Sequence, residues 1–314
     1  MPRDPKMTKL IKEKLHPLEA NLKQSLQDYD SANANISMQR IQNLLRSEGY
    51  ESRLMQNKLI YFEIIMENDN LNVAISGLEG ILKKVSGSSR MFLEANSLLT
   101  ICHLRKGDAK YKKHMRRTIK LVRNITSEKK RKEFHSYFLQ RIEDEMLIRN
   151  LIENHEKSDN KEAYNLAIEM LKNNKSENDM YLLLGSQVDN SIQVQIENNR
   201  NIYYLDLDAK DIKLLPLPPK LSEKHKVGKR LRKAIGKTIW KKLCIKGEDF
   251  DTLTKKGLEG TSFYMGMSLA IALALDNLEI GNLGVKVSLI ALSLRISTNV
   301  FCEMFAPTSI MSHR

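Results

Sequence analysis

Cysteine is scarce in this 314-residue chain, and acidic residues are outnumbered by basic ones. The three cysteines, Cys102, Cys244 and Cys302, are odd in number, widely separated and set among apolar neighbours. That pattern suits neither a disulfide framework nor a metal-binding knuckle, so buried thiols in a reducing compartment are expected. The seven histidines are scattered, with no pair at i, i+4. Cys102 and His103 are adjacent, so on a helix their side chains diverge by about 100° and cannot form a nucleophile and base. Neither G-x-x-x-x-G-K-[ST] nor G-x-G-x-x-G occurs, and Gly257, Gly260, Gly281 and Gly284 lack the strand-to-helix setting of a phosphate loop. No cofactor is implied, and a binding protein is a better expectation than an enzyme.

Long hydrophobic runs are missing too. Residues 261–275 carry no charge, but Asp276 ends that run, and the block 285–305 contains Lys286, Arg295 and Glu303. A membrane span needs about 20 apolar residues, so a buried helical hairpin in a water-soluble domain is expected, with Leu269, Ile271, Leu289 and Leu292 inside it. Small residues recur at helical spacing there (Gly266, Ala270, Ala274; Gly284, Ser288), which lets helix backbones approach closely. The first ten residues have no apolar core of the kind a secretory signal needs, and a cytoplasmic protein is the reading.

What the chain has in excess is positive charge: 51 Lys and Arg against 38 Asp and Glu, a net +13. Such a balance favours acidic partners: a protein segment, a nucleic-acid backbone or an anionic membrane surface. The charge is concentrated in two helical stretches. Around 112–123, Lys112, Lys113, Arg116, Arg117, Lys120 and Arg123 fall within about 140° of arc, opposite Met115, Ile119 and Val122. Lys129, Lys130, Arg131 and Lys132 follow closely, whereas Glu143, Asp144 and Glu145 are read as balancing nearby lysines rather than holding a metal. Around 224–243, Val227, Leu231, Ala234, Ile235, Ile239, Trp240 and Leu243 form an apolar stripe flanked by Lys229, Arg230, Lys233 and Lys237. Such a helix can dock on its own domain, lie on lipid or follow phosphates.

From residue 34 to 174 helix follows helix, at 36–45, 54–66, 71–85, 91–104, 109–122, 127–155 and 161–173, with Asn, Gly, Ser and Asp at the joints. An earlier polar helix at 6–30 is expected to break or kink at Pro17. Hairpins beginning near Glu51 and Arg90 give a period of roughly 40 residues. In the hairpin from Met91 to Ile119, Ala95, Leu98, Leu99 and Cys102 face Tyr111, Met115 and Ile119 across the Gly107-Asp108 turn. Over roughly residues 34–155 the chain resembles tetratricopeptide-type helical repeats in hairpin length and small-residue placement, without that family's aromatic and closing-proline marks. The resemblance implies a concave binding face and no chemistry.

After Ser176 the period reads as two. Ile192, Val194 and Ile196 alternate with polar residues, as do Tyr203, Leu205 and Leu207 beyond the run Asn198-Asn199-Arg200-Asn201. A β-hairpin with one wet face is predicted, with short strands at 181–184 and 212–215. On its second strand Asp206, Asp208 and Lys210 read D-x-D-x-K, which on one strand face could hold a divalent metal for nuclease chemistry. Pro216, Pro218 and Pro219 form a stiff connector.

The expected fold is mainly α in three parts: a helical array at 1–175, a small β module at 176–219 and a C-terminal helical domain at 220–314. The leading functional expectation is a non-enzymatic interaction protein that holds an acidic partner on its basic helical faces. A membrane-acting effector whose apolar hairpin inserts into lipid and a metal-dependent nuclease are the alternatives.

Overall fold

The computed structural model describes residues 4–153, 158–213, 215, 223–244, 263–296, 298–306 and 309–311. Among these there are fifteen α-helices and no strand. The helices are α1 (Lys9–Asp28), α2 (Ser31–Ser47), α3 (Glu51–Glu67), α4 (Leu71–Lys84), α5 (Arg90–Arg105), α6 (Tyr111–Leu121), α7 (Glu128–Glu153) and α8 (Asn160–Lys172). They continue with α9 (Glu177–Ser186), α10 (Asn190–Leu205), α11 (Ala209–Ile212), α12 (Lys224–Leu243), α13 (Phe263–Asn277), α14 (Leu283–Ser293) and α15 (Thr298–Phe305). The proline-bearing connector at 216–219 lies outside the described residues.

Two compact units divide the chain, and they cut across the three sequence segments. The first takes Met1–Ile142, Arg200–Pro216 and Thr308–Arg314; the second takes Glu143–Asn199 and Leu217–Pro307.

In the first unit each helix from α1 to α6 packs on the next, and α1 on α3 and α3 on α5 as well. Contact with both the next helix and the next but one is how stacked helical hairpins build a continuous core. The sequence pattern causes it directly. Leu54, Leu59 and Ile64 on α3 and Ala95, Leu98, Leu99 and Cys102 on α5 are fully buried, as are Met115 and Ile119 on α6. The joints are capped as their residues dictate: Thr8, Asp30 and Ser89 each accept a backbone N–H from the first turn of the helix they precede. Contrary to expectation, α1 runs unbroken through Pro17. Pro17 is exposed, so the carbonyl that loses its helical N–H partner can be satisfied by water.

The second unit is organised on α12. Its stripe of Val227, Leu231, Ala234, Ile235, Ile239 and Leu243 is buried, chiefly against α9. Gly185 and Gly228 make that packing close: a Cβ on Gly185 would overlap the backbone at Lys224, and one on Gly228 the backbone at Tyr181. α13 and α14 pack on each other and on α8, and α14 also on α9. The expected apolar hairpin is therefore interior: Ile271, Leu289 and Leu292 are buried, while the side chain of Leu269 lies outside the described set. The second apolar block is two helices rather than one, with a break after Ser293.

The predicted β module is replaced by helix. Residues 181–184 belong to α9, 190–205 form α10, and Ile212 ends α11. Buried Ile192, Ile196, Asn199, Arg200 and Tyr203 recur at three and four, whereas Val194 and Leu205 are exposed. The alternation counted those two as inward-facing; the helical period leaves them in water.

The thiol expectation also needs correction. Cys102 is free and buried, but Cys244 and Cys302 form a disulfide with a Cα–Cα distance of 5.6 Å. Their sequence separation of 58 hid a pair that helix packing brings together. A disulfide of this kind is unusual in a reducing compartment.

Candidate interaction surface

α6 is short, eleven residues, and carries its cations where the sequence placed them. Met115, Thr118 and Ile119 are buried against the first unit, so the opposite face is turned out. Lys112, Lys113, Arg116, Arg117, Lys120 and Arg123 are all exposed. Two are partly committed. Arg116 Nε lies 3.6 Å from Asp206 Oδ2, and the Arg117 guanidinium stacks 4.4 Å from the Phe92 ring centroid. Lys112 Nζ stands 6.0 Å from the Tyr111 ring. Lys113, Lys120 and Arg123 have no carboxylate within ion-pair distance among the described residues. Lys129, Lys130 and Lys132 at the start of α7 are exposed too, but Arg131 is not available: it binds Asp211 at 3.0 Å and the carbonyls of Ile125 and Thr126.

Beneath this face lies a pair of stacked imidazoles. His103 on α5 and His114 on α6 have ring centroids 5.3 Å apart and are nearly parallel. His103 Nδ1 meets Asp108 Oδ2 at 3.0 Å, and His114 Nδ1 meets Asn96 Oδ1 at 3.0 Å. Burial, together with His103, Lys113 and Arg117, pulls His114 down to about 4. His114 is therefore neutral at physiological pH and adds no charge to the face.

The second basic helix behaves differently. On α12, Arg230 ion-pairs with buried Glu143, and Lys237 Nζ reaches Asp144 Oδ2 at 3.1 Å. Arg232 is buried, donating to the Tyr181 hydroxyl at 2.5 Å. Only Lys229 and Lys233 of the four named positions are exposed, and Lys229 Nζ sits 5.4 Å from the Tyr181 ring. Arg230 and Lys237 are thus structural ion pairs, in keeping with the balancing role expected of the acidic cluster at 143–145. The apolar stripe of α12 is occupied by its own unit.

The D-x-D-x-K constellation lacks the strand it needed. Asp206 follows α10 and turns to Arg116, and Asp208 caps α11 by accepting the Lys210 N–H at 3.1 Å, while the Lys210 side chain is exposed. Among the described residues no group of three or more His, Cys, Asp or Glu could hold a metal ion. No helix among them is long and apolar enough to cross a membrane.

Sequence reasoning missed a buried polar network in the first unit. His135 Nδ1 meets the Tyr203 hydroxyl at 2.8 Å, and His135 Nε2 lies 3.6 Å from Asp211 Oδ2, which Arg131 holds from its other oxygen. Burial pulls His135 down to about 4 despite Asp211, and burial pushes the Tyr203 hydroxyl well above its usual range. Both are wholly enclosed, so the network fastens α7 to α10 and α11 rather than meeting a substrate. A histidine and an aspartate 76 positions apart leave no local signal.

The fold and surface describe a mainly helical protein with an array of helical hairpins and one densely cationic exposed helix. No family model, curated protein or solved structure matches the chain.

Proposed function

We propose that this is a non-enzymatic interaction protein whose α6 face holds an acidic partner, and that the partner is a nucleic-acid backbone. The observation that carries the reading is the exposure of five cations on one side of α6, and of Arg123 in the 3-10 turn that follows, while the apolar side of α6 is buried. From Lys112 to Arg123 the row extends about 17 Å, the axial length of roughly five nucleotides in one strand of a duplex.

Two features favour phosphates over an acidic protein segment. None of the exposed large hydrophobic side chains lies on α6, and protein interfaces draw most of their affinity from buried aromatic or aliphatic anchors. A surface of cations alone gains affinity mainly by releasing counterions, which a phosphate backbone carries in condensed form. The same bareness argues for backbone contact without base reading.

The test is binding of a mixed-sequence DNA duplex, a single-stranded RNA and polyglutamate, each at several salt concentrations. Neutralising four to six phosphates gives a log–log salt slope of about −4 to −5 for the duplex. Lys112→Glu, Arg116→Glu and Lys120→Glu together reduce nucleic-acid affinity at least tenfold and leave the fold intact. Binding of polyglutamate alone would move the partner to the acidic-protein class. No binding to any of the three at low salt, or binding that ignores the charge reversal, rules the reading out.

A further inference from the structure

Glu63, on α3, is almost wholly buried, at 2% exposed, and has an unusual set of partners. Its Oε1 accepts the Ile310 N–H at 2.6 Å. Its Oε2 accepts the Met311 N–H at 3.2 Å and the Ser309 hydroxyl at 3.1 Å. Both oxygens are filled by three consecutive residues nearly 250 positions away in sequence, within the same unit. The side chains of Ile310 and Met311 are buried as well.

The other buried carboxylates of this unit show what is different. Glu19 is held by Arg53, Glu94 by Arg90, Glu67 by Arg105 and Arg141, and Asp211 by Arg131. Among the described residues no cation pairs with Glu63. Glu67, one turn along α3, takes the two guanidiniums that could have served both, at 2.9 and 2.6 Å. A buried carboxylate without a cation is costly unless its lone pairs are met by donors. Here the tail supplies them, two from the backbone. Two successive backbone N–H groups are on offer from a loop or from the first turn of a helix, but not from a helix interior.

We propose that Glu63, with the places that bury Ile310 and Met311, forms a peptide-binding site that takes a short segment, hydroxyl first, then two apolar residues with free N–H groups. Its occupant is the chain's own segment 309–311, held non-covalently and able to leave. This site is separate from the α6 surface and does not depend on the function proposed for it.

The experiment compares the full chain with a chain ending at Ala306, each titrated with a fluorescent peptide of residues 306–314. The shortened chain binds the peptide; the full chain, its site filled, binds at least tenfold more weakly. A peptide with Ile310→Pro lacks the donor to Oε1 and loses at least tenfold in affinity. A folded shortened chain that ignores the peptide, or that binds the proline peptide equally well, overturns the proposal. If the shortened chain does not fold, hydrogen exchange in the full chain decides. Ile310 and Met311 amides that exchange far faster than the α3 core support a detachable segment, and exchange only with global unfolding refutes it.

Discussion

The Nζ of Lys286, wholly buried on α14, lies 2.6 Å from Oδ1 of Asp276 on α13. These are two of the charges that interrupt the apolar C-terminal stretch, and they neutralise each other. The ammonium also donates to the Ser158 carbonyl at 3.0 Å and to Asn160 Oδ1 at 2.7 Å, so all three of its protons are placed. A lysine with its donors filled by its own unit pins that unit's core, and pulling α14 out of the core would break every one of these bonds.

Lys286→Met keeps the volume but strips Ser158 and Asn160 of their donor. The Asp276 side chain, 40% exposed, can turn to water, which softens the loss. A destabilisation of roughly 2–3 kcal/mol is expected in urea unfolding. A change under 0.5 kcal/mol would mean the ammonium is hydrated rather than pinned.

Gly228→Ala and Gly80→Ala should move stability in opposite directions. A methyl at Gly228 drives α12 into the α9 backbone at Tyr181, whereas one at Gly80, inside α4, meets nothing within 4 Å. The first lowers the melting temperature sharply, and the second raises stability by about 0.5–1 kcal/mol through helix propensity. Thermal melts of the two variants beside the parent read both.

Acid should weaken the first unit through His135. Its folded value of about 4 lies below the ordinary 6.5, so the unfolded chain takes up the proton first. The stability this gives is full above pH 6.5 and is lost as pH falls through about 4, on the order of 3 kcal/mol across the window. NMR titration of the imidazole, with melts between pH 7 and 4.5, checks the value and the sign together.

Glu63 has the opposite sign. Burial and the neighbouring Glu67 raise it to about 7 from the ordinary 4.5, against the lowering effect of the tail's donors. The native state therefore holds the proton more tightly. Its contribution is full below pH 4.5 and fades as pH rises through 7. The groups around it are Glu67, the two arginines on Glu67, and Tyr29, whose hydroxyl burial and Glu67 push upward. Urea unfolding of the first unit should show this as stability that declines between pH 6 and 8. Stability flat across that range would show that the carboxyl does not titrate there.

The Cys244–Cys302 disulfide closes a loop of 58 residues around α13 and α14. By loop-closure entropy its loss costs about 4 kcal/mol, and reduction should lower the melting temperature of the second unit. Cys244→Ser with Cys302→Ser should melt like the reduced parent. Melts that coincide with and without reductant would show that the bond contributes no stability.

Most of the helical array was legible because its signals are local. The apolar spacing of α3 and α5 and the cations of α6 appear in the chain at the period at which a helix displays them. The alternation at 192–207 misled because Ile192 and Ile196 satisfy both periods, and only the burial of Asn199, Arg200 and Tyr203 separates them. No local pattern could show that Arg230 and Lys237 are spent on Glu143 and Asp144, which lie more than 80 positions earlier.

The amino-acid order by itself determined the helices of the array, the buried C-terminal hairpin and the cationic outer side of α6, since each depends on neighbours within a few turns. Tertiary structure alone decided which charges remain free, which cysteines join, and where segment 309–311 rests. Those outcomes depend on distances through space between residues that the chain keeps far apart, and packing sets such distances after the local choices are made.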